Sequence, residues 1–181
     1  MNGIILVDKP EGWTSFDVVN YVRRMVARLE GKKPKHVKVG HTGTLDPAAT
    51  GLLMLCVGKA TKQVESLMKQ DKTYEVELTL GMTSTTGDKE GELEVVAPSD
   101  SGWKPPSRAQ LDAALSQFIG QIQQVPPAFS ALKVNGKRAY DLARAGKPVE
   151  LAARMVRIYS IESVNYEYPK VWFTTRVGSG T

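Results

Sequence analysis

The chain has 181 residues, an ordinary 41% of hydrophobic residues and a formal net charge of +5. No stretch reaches the roughly 20 apolar residues of a membrane-spanning helix, and the start of the chain lacks a signal-peptide pattern, so we expect a cytoplasmic protein without a membrane partner. One cysteine, Cys56, and two histidines exclude an intrachain disulfide and a cysteine-cluster metal site, and we expect neither metal nor cofactor.

In chain order, the first half predicts two strands and two helices. Gly3–Val7 has the pattern of a short buried strand. Ser15 is a candidate N-cap for an amphipathic helix that ends at Gly31. An apolar run over 52–57 predicts a buried strand, which contains Cys56 as a small apolar thiol. Residues 59–69 then predict a helix.

The second half predicts mostly strands. Alternation over 72–80 indicates a half-buried strand with Tyr74 on its apolar face. A polar loop is predicted over 81–91, and Ser107 caps a helix over 108–119 whose inner face includes Phe118 and Ile119. Further strands are predicted over 92–96, 130–134, 156–164 and 171–177, the last two antiparallel, with a short helix over 139–145.

The positive charge is concentrated before residue 70. Residues 1–70 hold 11 lysines and arginines against 6 aspartates and glutamates. A basic patch comprises Arg23, Arg24, Arg28, Lys32, Lys33, Lys35 and Lys38. A solvated helix face would explain the patch. However, the patch is followed directly in the sequence by a polar loop, and this arrangement favours a polyanionic substrate.

That loop, residues 40–51, surrounds one carboxylate with glycines, threonines and a proline. Pro47 disfavours the helical region for Asp46 and predicts an extended conformation there. An isolated Asp-Pro is ordinary turn chemistry. Because His41 and several threonines share the loop, we interpret it as a rigid polar loop that presents Asp46 as a functional group.

The loop closely resembles the catalytic motif of the bacterial TruB-type tRNA pseudouridine synthases. The resemblance covers essentially the whole chain and is carried by Gly40-His41-Thr42-Gly43-Thr44-Leu45-Asp46-Pro47, Lys9-Pro10-Glu11-Gly12-Trp13-Thr14-Ser15, Gly58-Lys59-Ala60-Thr61-Lys62, Lys72-Thr73-Tyr74 and Val125-Pro126-Pro127 through Lys133. It implies an α/β fold of the α+β type, the pseudouridine synthase fold, with a mixed, largely antiparallel sheet flanked by helices.

The resemblance also implies roles for individual residues. Asp46 is the catalytic residue, Tyr74 stacks against the target base, and His41 contacts RNA rearranged around the flipped base. A general acid–base role and a purely structural role for His41 stay open. Lys62, Lys133 and Arg144 are implied RNA contacts, and Lys9, Gly43, Thr44, Leu45 and Pro47 are implied supports of the loop.

Further implications concern the partner and the domain. The expected partner is the T stem-loop of tRNA, modified at uridine 55 by a monomer that needs no cofactor. The family continues beyond a position equivalent to Thr181 into a Tyr-Ile-Arg segment whose arginine pairs with the aspartate. Residues 1–181 would therefore be a catalytic domain that is incomplete at its C-terminus and lacks the RNA-binding domain, and we expect this chain alone to have impaired activity.

Two other functions are compatible with parts of the sequence. A non-catalytic RNA-binding fragment or tRNA-folding helper would use the same basic patch without turnover by Asp46. A glycoside hydrolase is disfavoured, because such enzymes generally place two carboxylates around the bond and the loop holds no acid besides Asp46.

Overall fold

The structure is a computed structural model that describes residues 1–89, 91–96, 103–127, 133–134, 137–139, 142, 145 and 151–181. The chain divides into two compact units, Met1–Gln70 and Asp71–Thr181. Both units combine helices with antiparallel strand pairs, which confirms the predicted mixed α/β class. Among the described residues, no helix is both long and apolar enough to cross a membrane.

The first unit packs one long helix against a three-stranded sheet. Its elements are β1 (Gly3–Lys9), α1 (Ser15–Leu29), a 3-10 turn (Pro34–His36), β2 (Val39–His41), β3 (Gly51–Val57), a second 3-10 helix (Gly58–Gln63) and α2 (Val64–Met68). The strand order is β1-β3-β2. Val22 and Val26 of α1 pack with Leu53, Leu55 and Val57 of β3 in the core, so α1 holds β3 and the loop before it in place.

The N-cap of α1 is Thr14, and the prediction of Ser15 was wrong by one residue. The Thr14 hydroxyl accepts the backbone N–H of Asp17, and the Asp17 carboxylate accepts the backbone N–H of Thr14 in a capping box. Hydrogen bonds from the hydroxyl and backbone of Thr14 hold the pKa of Asp17 below its usual value. The capping box leaves the buried Ser15 hydroxyl free for another partner.

Other expectations in this unit also needed correction. β1 is not buried on both faces, because Leu6 is 62% exposed while Ile5 and Val7 contact the core. The predicted helix over 59–69 consists of the 3-10 helix followed by the short α2. Cys56 is fully buried, and burial raises the pKa of its thiol, as suits a small apolar residue.

The second unit centres on a four-stranded sheet of order β4-β11-β10-β7. Its elements are β4 (Lys72–Thr79), β5 (Met82–Ser84), β6 (Leu93–Val95), α3 (Arg108–Ser116), β7 (Gly120–Gln124), β8 (Lys133–Val134), β9 (Lys137–Arg138), β10 (Arg154–Glu167) and β11 (Lys170–Val177). β10 and β11 are antiparallel, as predicted. Glu77 on β4 bonds to Lys170 and Trp172 on β11, and both contacts lower the pKa of Glu77.

Two predictions for this unit were wrong, and one strand was not predicted. The predicted loop over 81–91 contains β5, which pairs with β6. The helix after Ser107 ends at Ser116, and Phe118 and Ile119 lie beyond it with about half of their surface exposed. β7 was not predicted. Most of the predicted strand over 130–134 and of the predicted helix over 139–145 lies outside the described residues.

Candidate active site

Asp46 is exposed to solvent, and the residue before it is clamped to α1. The Ser15 hydroxyl donates to the Leu45 carbonyl at 2.9 Å, and the Leu45 N–H donates to the same hydroxyl at 2.9 Å. The Leu45 side chain also packs against the core. Both backbone polar groups of Leu45 are therefore satisfied by one buried side chain of a helix.

The residue after Asp46 is clamped to the segment that follows β1. The Pro47 carbonyl accepts the Gly12 N–H at 2.8 Å and the Lys9 ammonium at 3.2 Å. Gly12 has a φ of 81°, which an L side chain adopts only with strain, so glycine suits the approach. A backbone bond from Ala49 N–H to the Asp46 carbonyl at 3.0 Å closes a turn with Pro47 at its second position.

Lys9 joins these segments from inside the protein. Its side chain is completely buried, and Nζ donates to the carbonyls of Pro10 at 2.9 Å, Trp13 at 2.7 Å and Pro47 at 3.2 Å. An ammonium group has three N–H donors, so all of them have an acceptor. Burying a cation is costly unless it is compensated, and here three carbonyl dipoles compensate it.

The site therefore presents one exposed carboxylate from a backbone that is restrained on both sides. Such a group can act as a nucleophile or can stabilise a positive charge that develops on a bound substrate. Restraint matters because the group needs no reorganisation when substrate arrives. Among the described residues, no group of three or more His, Cys, Asp or Glu side chains is placed to hold a metal ion.

The loop residues before Leu45 lie at the end of β2. His41 pairs with Leu55 of β3, and its buried Nδ1 bonds to no described residue. The Thr42 N–H donates to the Met54 carbonyl at 3.0 Å, which extends the attachment of the loop to β3. Gly43 is half-buried and Thr44 is exposed.

The other predicted site residues are placed as follows. Lys62 is exposed on the 3-10 helix after β3. Tyr74 belongs to the second unit, where it is half-buried on β4 opposite Thr175 of β11. Lys133 pairs with Arg138 in the β8–β9 ribbon, which is described by its backbone alone. Arg144 lies outside the described residues.

Sequence reasoning missed the roles of Ser15 and Gly12. Ser15 was interpreted as a helix cap and Gly12 as a turn residue. A local signal in the sequence would have excluded Ser15 as the N-cap. Thr14 and Asp17 have the spacing of a capping box, so Thr14 is the better N-cap. The Gly12 contact with Pro47 has no comparable local signal.

Replacing Ser15 with alanine should loosen the Asp46 loop and leave the fold intact. Both hydrogen bonds to Leu45 are lost, which should cost about 1–2 kcal/mol of unfolding free energy. Because Asp46 then samples a wider range of positions, turnover that depends on Asp46 should fall about ten- to a hundredfold. Circular dichroism and a single-turnover assay would measure the two effects.

The matched control is Ser66→Ala, which removes an exposed hydroxyl that donates to the Gln63 carbonyl at 2.9 Å in the same unit. It should leave turnover within about twofold of wild type, since surface substitutions have small effects. Equal turnover in the Ser15 and Ser66 variants would show that the clamp has no part in activity.

Known structures identify the class of protein to which this fold belongs. A crystal structure of a Cbf5-Nop10-Gar1 complex matches 99% of this chain and 40% of its own chain, with a TM-score of 0.63 and 27% identity. A structure of an H/ACA RNP bound to a substrate RNA containing 2'-deoxyuridine has the same fold, with a TM-score of 0.62 at 23% identity. The fold is that of the pseudouridine synthases.

Sequence comparisons narrow the class to a family. The family model for the N-terminal domain of TruB family pseudouridylate synthases matches residues 29–181, and the chain belongs to this family. A tRNA pseudouridine synthase B from Clostridium kluyveri is 46% identical over 181 residues, and one from Phocaeicola vulgatus is 44% identical over 178 residues. The chain spans 58% of the first relative's length and 73% of the second's.

Proposed function

We propose that the protein isomerises uridine to pseudouridine in tRNA, at uridine 55 of the T loop. The observation that carries the proposal is the exposed Asp46 between the clamped residues Leu45 and Pro47. Family membership and relatives named tRNA pseudouridine synthase B support the reaction and the substrate class.

The reaction requires no net change in composition. The N1–C1′ bond of uridine breaks, the base turns, and a C5–C1′ bond forms. The C5 proton leaves to solvent and a proton is taken up at N1. Asp46 serves this exchange either by attacking the sugar or by balancing positive charge on it while the base is detached.

The other predicted residues have separate proposed roles. A stacked base hides its reacting atoms, so the enzyme extrudes it from the loop at a cost of a few kcal/mol. Tyr74 stacks its aromatic ring against the extruded base. His41 contacts the RNA that rearranges around the position that the base has left. Lys62, Lys133 and Arg144 contact the RNA backbone. The protein acts as a monomer in the cytoplasm on the T stem-loop.

Tritium release tests the proposal. A tRNA transcript labelled with tritium at C5 of its uridines should release label to water when the protein is in excess, up to one equivalent and slowly, because we expect this chain alone to have impaired activity. A matched transcript with cytidine in place of uridine 55 should release none. Binding of both transcripts without release from either would indicate the alternative function, a non-catalytic tRNA-binding protein. Equal release from both transcripts would exclude uridine 55 as the target.

A further inference from the structure

A groove in the first unit is lined by part of the basic patch and by none of the residues that clamp the Asp46 loop. It has a volume of about 520 Å³ and is lined by α1, the turn before β2, β2 itself and the 3-10 helix after β3. Its basic lining residues are Arg23, Lys35 and Lys38. Gly40 also lines it and is followed in β2 by His41, which belongs to the loop that holds Asp46.

The walls of the groove are ordered backbone. The His36 N–H donates to the Lys33 carbonyl at 2.9 Å, and the Val37 N–H donates to the Pro34 carbonyl at 3.0 Å. The Gly58 N–H donates to the Lys38 carbonyl at 2.8 Å, which ties the turn to the 3-10 helix. Lys35 and Lys38 therefore project from a backbone that these hydrogen bonds hold in place.

The three cations of the groove are not neutralised by any carboxylate that the structure describes. The acid nearest in sequence, Glu30, is already paired with the N-terminal amine and with Lys32. Lys35 and Lys38 are exposed and carry their charge into solvent. Three uncompensated cations around one concave surface attract a polyanion more strongly than the same charges spread apart.

Arg23 is held in position by neutral partners. Its Nη1 donates to Asn20 Oδ1 at 2.8 Å, its Nη2 lies 3.5 Å from the Val39 carbonyl, and its guanidinium lies 5.7 Å from the centroid of the Phe16 ring. These contacts orient the guanidinium, and they do not neutralise its positive charge because none of the three partners is an anion. A planar, oriented guanidinium is well suited to recognising a phosphate through paired hydrogen bonds.

We propose that this groove binds the phosphodiester backbone of the RNA substrate, with Arg23, Lys35 and Lys38 each facing a phosphate. The inference rests on the proposed function, because it assigns where the same RNA docks. The groove is open and far larger than one phosphate group, and its floor is apolar at Val37, Val39 and Val64. Those features fit a chain of phosphates and sugars better than a single anion.

The test compares two double variants with the same change in charge. Lys35→Ala/Lys38→Ala removes two groove cations, and Arg28→Ala/Lys33→Ala removes two exposed cations that do not line the groove and that pair with no described carboxylate. Binding of a T stem-loop RNA would be followed by fluorescence anisotropy between about 50 and 300 mM salt. The groove variant should bind at least tenfold more weakly, and the control should stay within about threefold of wild type.

The salt dependence gives a second readout. Loss of two phosphate contacts should lower the slope of log Kd against log salt by about 1.5. Lys35→Arg/Lys38→Arg should restore wild-type affinity. Neutral methylphosphonates placed singly along the RNA should weaken wild-type binding at the contacted positions and should have no effect there on the groove variant.

Several outcomes would overturn the proposal. Unchanged affinity of the groove variant would do so, as would equal losses in both double variants, which would indicate a diffuse positive field. A wild-type protein that binds no RNA would also overturn it. Tritium release by the wild type is measured separately. If the wild type releases tritium and the groove variant binds RNA normally, only the groove proposal is rejected. If the groove variant alone loses RNA binding and the wild type releases no tritium, only the proposed isomerase activity is rejected.

Discussion

Replacing Asp46 with asparagine is expected to abolish pseudouridine formation while the protein still binds RNA. The amide has nearly the shape of the carboxylate but is neutral, so it can neither attack the sugar nor balance charge on it. A loss of about 10³-fold or more is expected when such a group is removed. The bonds that hold the loop come from Leu45, Pro47 and the backbone of Asp46, so the variant should fold normally.

The measurement is single-turnover tritium release beside RNA binding by anisotropy. Asp8→Asn is the matched control, because Asp8 is an exposed carboxylate on β1 that bonds to no described residue, and its variant should keep wild-type rates. Release by Asp46→Asn at the wild-type rate would assign the chemistry to another group. If Asp46→Asn instead lost both RNA binding and tritium release, Asp46 would be a binding residue.

The sequence predicted the parts of the site that depend on local signals. The composition of the loop around Asp46 indicated a tight polar structure, and the structure contains a turn closed between Asp46 and Ala49. Helical periodicity over the segment after Ser15 predicted α1, and the apolar run over 52–57 predicted β3. Each of these signals lies within one turn or one strand of the residue that it predicts.

The contacts that form the clamps were beyond the local sequence patterns because they join distant positions, and only the family resemblance implied that Lys9, Leu45 and Pro47 support the loop. Lys9 and Pro47 are 38 residues apart, and Ser15 and Leu45 are 30 residues apart. The residues next to Lys9 in the sequence do not indicate that its ammonium is buried against three carbonyls, because lysine is usually a surface residue. That arrangement follows from the pairing of β1 with β3, which places Lys9 opposite Gly51 at the end of the loop.

β7 shows the same limit in the second unit. Its sequence, Gly120 to Gln124, contains one apolar residue, Ile122, so alternation gave no strand signal. The segment is a strand because it pairs with β10, with Ile122 opposite Val156. Pairing with a strand already formed outweighs weak intrinsic preference, which is why β propensity depends on context.

Replacing Lys9 with methionine is expected to destabilise the first unit by about 2–4 kcal/mol and to lower turnover as well. Methionine fills similar space, but the carbonyls of Pro10 and Trp13 lose their donor, and Pro47 keeps only the bond from Gly12. A hydrogen bond to a charged group contributes about 1.5–3 kcal/mol, and removing the buried cation returns part of the loss of three such bonds.

The measurement is hydrogen exchange of the β3 amides, because it reports on unfolding of this unit by itself whatever the second unit does. Lys59→Met is the matched control, since Lys59 is exposed and its variant should change the unfolding free energy by less than about 0.5 kcal/mol. Protection in the Lys9 variant equal to that in the control would mean that the three carbonyls find other donors. If instead protection falls and turnover falls further than Ser15→Ala lowers it, the buried ammonium is the stronger of the two clamps on Asp46.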